Sequence, residues 1–296
     1  MRIQTLRALS RVHEFGSLRA AAEQLHMSQP ALTLAIQQLE SELGCQLLVR
    51  TKRGVSLTRF GLALLPRASL IVSESVRVQE EMAQMRGDWV GRVRLASSPA
   101  LALAVLPQAL RPFMAKYPNV HLHCIEGTYP GIAPALRDGT LDFALTPIRE
   151  EDREPELECE HLYHSEVAIV ARKQHPLVNA TRLKDLQQAR WAYATGTRGP
   201  GAIVDEAFRD AGLEPPKPAI IFESLLALPD LVANSELLAT LPRRLLGRGQ
   251  AWDQLCVVPV TEKLPTLNLN VLRRASQALT PAASELLGWI RQVAQR

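Results

Sequence analysis

Cysteine is scarce in this sequence: the 296 residues contain four, Cys45, Cys124, Cys159 and Cys256, widely separated and without a CxxC pair. That spacing excludes the common zinc-ribbon and thioredoxin patterns. It favours reduced thiols serving as small buried hydrophobes over the two disulfides that four cysteines would allow. Long apolar runs are missing too, and no window approaches the roughly 18 uncharged apolar residues of a membrane span. The opening MRIQTLRALSRVHEF scatters charges through its apolar positions, unlike a signal peptide, so a cytoplasmic protein with no membrane partner is expected.

Enzyme signatures are equally thin. No HExxH or GxSxG occurs, and the run from Gly196 to Gly201 lacks both the GK[ST] ending of a phosphate-binding loop and a complete GxGxxG. His121 and His123 form only an isolated pair on one side of a strand, too few for a metal site. No nucleophile meets a base, so the reading carries no catalytic residue, metal or cofactor.

A composition of 47% hydrophobic and 22% charged residues fits a soluble chain with two or three packed cores. Its charge is unevenly placed. The first 60 residues hold eight basic side chains against four acidic ones, for a net +4, which is the net charge of the whole chain. The other 236 residues therefore balance. A basic excess confined to one segment points to a polyanion partner for that segment alone.

Local pattern explains what that segment is. Ile3, Leu6, Leu9 and Val12 recur at helical spacing, with Ala8 beside them, and Gly16 stops the helix. Ser17 caps a second helix over 18–25. The run AAEQLHMSQPALTLAIQQLE then looks helical throughout but carries Ser28-Gln29-Pro30 in its middle. Ser28 offers a cap and Pro30 fits only a first helical turn, so this is a helix start and not a kink. A third helix to about Leu43, with Ala31, Leu32, Ala35, Ile36 and Leu39 as its apolar stripe, completes a helix-turn-helix. Leu47 to Leu57 reads as a hairpin with Thr51-Lys52-Arg53-Gly54 at its tip. Thr58 caps a long helix to about Arg86, bent at Pro66, whose face of Leu62, Leu65, Ser69, Val72, Val76 and Met82 is expected to pair with a second copy.

Beyond Gly87 strands and helices alternate. Strands are expected at 93–96, 120–125, 143–146, 167–171, 191–194, 219–222, 238–241, 256–260 and 267–272, the pattern of an α/β fold with a mostly parallel sheet. Helices are expected at 101–117, 132–137, 183–187, 202–211, 225–233 and 281–296. Nine strands in about 200 residues suit two small lobes.

The series Ser17-Leu18-x-x-Ala21-Ala22-x-x-Leu25-x-x-Ser28-Gln29-Pro30-Ala31-Leu32-x-x-x-Ile36-x-x-Leu39-Glu40-x-x-Leu43-Gly44, then Leu47-Leu48-x-Arg50 and Leu57-Thr58-x-x-Gly61, closely resembles the LysR-type transcriptional regulator family. Leu106-Pro107, Phe113, Tyr117-Pro118-Asn119-Val120, Gly127, Leu136 and Gly139-Thr140-Leu141-Asp142-Phe143-Ala144 resemble marks of that family's effector-binding domain. Within the family the chain looks most like regulators of aromatic sulfonate catabolism, of the toluenesulfonate-regulator type. The resemblance implies a winged helix-turn-helix over 1–58, a dimerising linker helix over 59–88, and a two-lobed domain like type-2 periplasmic binding proteins over 89–296. Lobe I would comprise about 89–162 and 266–296, and lobe II about 163–265. It also implies double-stranded operator DNA and a small organic anion as partners, with self-association to dimers and tetramers.

Reach selects the DNA-facing residues. Gln29 can pair with adenine, Thr33 follows one turn later, and Pro30 can touch a thymine methyl. Ser28 and Gln37 suit phosphates, Lys52 and Arg53 suit a backbone or narrow minor groove, and Arg50 joins the DNA-binding set. Leu34 departs from the basic or polar residue of many relatives. For the effector, ligands of two-lobed sheets lie beyond strand carboxyl ends, beside helix N-termini. That rule selects Ser97, Ser98, Pro99 and Ala100, then Thr128 and Thr146, then Thr195, Thr197, Arg198 and Pro200, with Phe222 on the opposite wall. A small, partly apolar anion such as an aromatic carboxylate or sulfonate fits them. The rivals are an effector-independent regulator, a small-anion-binding or transport module, and an enzyme acting on a small anion.

Overall fold

The structure is a computed structural model and describes residues 1–51, 54–194, 202–247, 250–275 and 277–295. Three helices open the chain: α1 (Ile3–Phe15), α2 (Leu18–Gln24) and α3 (Gln29–Leu43). Leu6, Ala8, Leu9 and Val12 of α1 are buried against Ala21, Ala22, Leu32, Ile36 and Leu39, while Ile3 is exposed. Each helix is punctuated as its sequence dictates. Gly16 and Gly44 end α1 and α3 in left-handed conformation, and the Ser17 and Ser28 hydroxyls accept from the N–H groups of Ala20 and Ala31. The hairpin β1 (Leu48–Thr51) and β2 (Gly54–Leu57) follows, and then α4 (Arg59–Met85), capped by Thr58.

The remainder holds β3 (Gly91–Ser97), α5 (Pro99–Ala104), α6 (Leu106–Lys116), β4 (Val120–Glu126), α7 (Ala133–Arg137), β5 (Phe143–Pro147), β6 (Leu157–Ser165) and β7 (Val167–Arg172). After these come β8 (Arg190–Tyr193), α8 (Ala202–Asp210), β9 (Pro218–Ile221), α9 (Leu228–Ala233), β10 (Leu237–Pro242), α10 (Gln250–Asp253), β11 (Leu255–Val257), β12 (Leu267–Arg274) and α11 (Pro281–Ala294). One sheet has the order β4-β3-β5-β12-β6 and the other β11-β7-β10-β8-β9. The chain crosses between them after β6 and again before β12.

Four expectations change. Each sheet is mixed, since β12 and β6 run antiparallel in the first, and β7 and β11 in the second. The single helix expected over 101–117 is two, because Pro107 in the first turn of α6 cannot continue a helix from α5. The thiols are not buried: Cys124 is exposed and the other three are half-buried, all free. Strand β6 was not foreseen, and it carries the first sheet to Ser165, three residues past the expected division at 162/163. No helix among the described residues is long and apolar enough to cross a membrane.

Candidate functional site

The first site is the outward face of α3. With Leu32, Ile36 and Leu39 buried, helical periodicity turns Pro30, Leu34, Gln37 and Ser41 away from the core. Ser28, Gln29, Pro30, Leu34 and Gln37 are exposed and Thr33 half-buried. Two of the hydroxyls are already engaged: Ser28 Oγ accepts from the Ala31 N–H at 3.3 Å, and Thr33 Oγ1 donates to the Gln29 carbonyl at 2.9 Å. Gln29, Gln37 and the adjacent Gln38 carry the exposed amides of α3.

The hairpin is fixed to this unit by backbone. Val55 donates its N–H to the Gly16 carbonyl at 2.9 Å, and Gly54, at φ +124°, comes so close that a Cβ there would lie 2.4 Å from the same oxygen. Glu40 Oε1 accepts from the N–H groups of Leu47 and Leu48, which ties the end of α3 to β1. Lys52 and Arg53 lie outside the described residues, as does the side chain of Arg50.

The second site lies where parallel strands end. β3, β4 and β5 run parallel, so Ser97 and Ser98, Thr128, and Thr146 gather at one end of the first sheet. Ser97, Ser98 and Thr146 are buried, Pro99 and Ala100 half-buried, and Thr128 exposed. Thr146 Oγ1 accepts from the Tyr129 N–H, and Ser97 Oγ donates to the Ser98 carbonyl. Ser98 Oγ is buried and, among the described residues, has no hydrogen-bond partner. Such a hydroxyl costs free energy until something meets it.

The second lobe approaches here. Leu225 and Leu245, which follow β9 and β10, pack with Trp252 into the core that also holds Leu101, Ala104 and Val105 around α5. Phe222 is half-buried after β9 and packs into the second lobe. Thr195, Thr197, Arg198 and Pro200 lie outside the described residues.

Sequence reasoning missed a third feature, the fastening of α4 to the first lobe. Arg77, 3% exposed on α4, donates Nε to Asp142 Oδ1 at 3.0 Å and Nη2 to the carbonyls of Gly139 and Leu141. Asp142, also 3% exposed, accepts through Oδ2 from the Arg94 N–H at 2.6 Å. Its burial outweighs these partners and holds its carboxyl above the usual carboxylate range; burial does the same to nearby Glu80, in which Arg94 is the main opposing charge. Glu74 accepts from both Arg77 and Arg274. Gln84 donates to the Val90 carbonyl and accepts from the Ala282 N–H, so α11 is held too. The available signal was an arginine among the apolar positions of a helix.

The apolar face of α4 also differs from the expected one. Val72 packs against the core of the N-terminal helices. The exposed large apolar side chains are Ile71, Val78 and Met85 at seven-residue spacing, with Met82 between and Phe60 and Leu62 nearer the start. Two cavities lie away from the strand ends: one of about 360 Å³ bordered by Trp89, Glu285 and Trp289, the other of about 330 Å³ by Arg92, Arg94, His121 and His123. Among the described residues no group of three or more His, Cys, Asp or Glu side chains could hold a metal ion.

Comparison with known proteins agrees with this geometry. Residues 3–62 match the bacterial regulatory helix-turn-helix protein family, lysR type, and residues 86–295 match the LysR substrate binding domain. The HTH-type transcriptional regulator GalR of Pseudomonas putida is 28% identical over 97% of this chain and 73% of its own length. An SDS degradation transcriptional activation protein of a Pseudomonas species is 28% identical over 97% of this chain and 95% of its own. The solved structure of full-length CbnR complexed with its target DNA superimposes with a TM-score of 0.71, at 23% identity, over 99% of this chain and 100% of that one.

Proposed function

This chain belongs to the LysR family of DNA-binding transcriptional regulators, and from that premise we propose that α3 reads an operator while a small organic anion held between the lobes switches the protein. The observation that carries the DNA reading is the uncommitted outer face of α3, where Gln29 and Gln37 are exposed on a helix held rigid by its buried stripe and its Ser28 cap. Gln29 discriminates bases, Thr33 and Pro30 adjoin it, and Ser28, Gln37, Arg50, Lys52 and Arg53 supply backbone contacts. Two copies joined along Ile71, Val78, Met82 and Met85 of α4 present two such helices to a pseudo-palindrome.

Support for the effector reading is the unpartnered Ser98 hydroxyl beside Thr146 at the strand ends. A carboxylate or sulfonate oxygen accepts from it, and an apolar body meets the half-buried Leu225 of the second lobe. Thr128, Thr195, Thr197, Arg198, Pro200 and Phe222 complete the set. The relative named for SDS degradation, the breakdown of an organic sulfate, accords with an anionic ligand.

The test combines thermal shift with footprinting. Aromatic carboxylates and sulfonates are screened on the full chain, and at a hundred times Kd a ligand stabilises by about 2.7 kcal/mol. A true effector also alters the footprint, and Ser98→Ala weakens it about fivefold or more. Tight binding with unchanged footprint, DNA bend and transcription refutes the switch.

A further inference from the structure

We propose that Leu34 is a specificity-determining residue that reads the C5-methyl group of a thymine in the operator major groove. This rests on the reading of α3 as the helix that enters the groove. Leu34 is 56% exposed, among the most open apolar side chains of the protein, and it stands on the same outward line as Pro30, Gln37 and Ser41. Pro30 is one turn before it and Gln37 one turn after, so it occupies the middle of the presented face.

The packing inside the N-terminal unit explains why this leucine is free. The core of that unit takes Leu32, Ile36 and Leu39 from α3 and leaves Leu34 on the far side of the helix. Its side chain has no internal role to which exposure could be a by-product. A lone exposed leucine is ordinary on a protein surface. Here, however, it sits at the centre of the one face meant to lose its water against DNA.

Base chemistry then selects the target. In the major groove guanine and adenine offer N7 with O6 or N6–H, and cytosine offers N4–H, all of which leave a hydrogen-bonding group unsatisfied against an isobutyl group. Thymine alone presents a methyl. The neighbouring polar side chains sharpen the preference: Thr33 spends its hydroxyl proton on the Gln29 carbonyl, so it does not compensate a purine edge beside Leu34 with a donated hydrogen bond. Leu34 therefore favours thymine by burying methyl against methyl and disfavours the other bases by dehydrating them.

The experiment uses the full-length protein. Operators are selected from a random duplex pool, and each thymine of the selected site is then replaced singly by deoxyuridine, which removes only the methyl group. Burying one methyl is worth about a fourfold change in affinity. One thymine in each half-site should show that loss with the unaltered protein, and about fifteenfold when both half-sites carry uridine. Leu34→Ala, which keeps a good helix former at an exposed position, should bind both duplexes equally. At the same position 5-methylcytosine should bind more tightly than cytosine, and Leu34→Arg should select guanine in its place. A uridine scan that is flat for the unaltered protein, or equally steep for Leu34→Ala, overturns the proposal. Gln29→Ala separates the two readings. If it changes the selected sequence while the uridine scan stays flat, Leu34 alone is misassigned; if neither change matters, α3 is not the reading helix.

Discussion

Replacing Arg77 by alanine tests the structure most severely, because it removes one half of a buried ion pair and leaves the other. Asp142 would keep the Arg94 N–H but lose its countercharge, and the carbonyls of Gly139 and Leu141 would lose their donor. Breaking a buried pair in this way costs about 3–5 kcal/mol. For a domain of about 200 residues that corresponds to a fall of roughly 6–20 °C in Tm, since each kcal/mol moves such a domain by about 2–4 °C. Calorimetry of the full chain reads the loss in the transition of the effector domain. The pH dependence has a definite sign. Burial raises the Asp142 pKa above 3.8 in the folded state, so its contribution to stability is greatest below that value and is lost as pH rises through the folded pKa. Without Arg77 the pKa rises further. The deficit of Arg77→Ala should thus shrink as pH falls through the raised Asp142 pKa and the carboxyl becomes neutral. The double change Arg77→Met with Asp142→Leu should recover part of the loss, because it removes the unpaired charge, while the Gly139 and Leu141 carbonyls and the Arg94 N–H stay without their partners. A fall of less than about 2 °C for Arg77→Ala, or a deficit that grows in acid, refutes the reasoning.

Two further changes probe other parts of the molecule. Gly54→Ala places a Cβ 2.4 Å from the Gly16 carbonyl at a φ of +124°, so it should destabilise the hairpin by about 1–3 kcal/mol and weaken operator binding while circular dichroism shows the helices retained. The Glu154 carboxyl is held below its ordinary range by hydrogen bonds from Arg137 and Tyr129; its stabilisation is present above pH 4.5 and disappears as pH falls through the lowered value. Glu154→Gln should flatten that part of the acid-unfolding curve, and an unchanged curve would show that the contact contributes nothing.

The N-terminal unit was legible because its punctuation is local. Gly16, Ser17, Ser28, Pro30, Gly44 and Thr58 each fix a helix end through their own backbone preference or a bond to a residue three positions away. Strand β6 shows the opposite case. Its LECEHLYHS carries little apolar alternation, and its place at a sheet edge depends on distant partners, such as Arg273 on Glu158 and Arg291 on Glu160. Periodicity found the apolar stripes of α4 but could not say which one its own chain would cover. Val72 proved to belong to the N-terminal core, so the free stripe is Ile71, Val78, Met82 and Met85. The gathering of Ser98 and Thr146 at one end of the first sheet was legible from the order of strands. The missing partner of Ser98 was not, because satisfaction of a hydroxyl depends on the whole surrounding fold.

The fastening of α4 constrains how a ligand could act. Arg77, Glu74 and Gln84 hold the second half of α4 to β12, α11 and the loop before β5, so α4 is fastened to the first lobe at three places. The second lobe meets that lobe through Leu225, Leu245 and Trp252, and through Arg244, whose guanidinium lies 4.3 Å from the centre of the Tyr163 ring and donates to the Ala294 carbonyl. On the proposal that a ligand sits between the lobes, it would work by changing the position of the second lobe against α4. Driving such an equilibrium from 1:99 to 99:1 requires about 5.5 kcal/mol of differential affinity. Satisfying the Ser98 hydroxyl supplies about 1–3 kcal/mol of it. The remainder corresponds to roughly 100–180 Å² of apolar surface buried only in the closed state, at about 25 cal/mol per Å². A bare inorganic anion has no such surface, whereas an aromatic ring carrying one anionic group does, which is why the proposed effector is of the second kind.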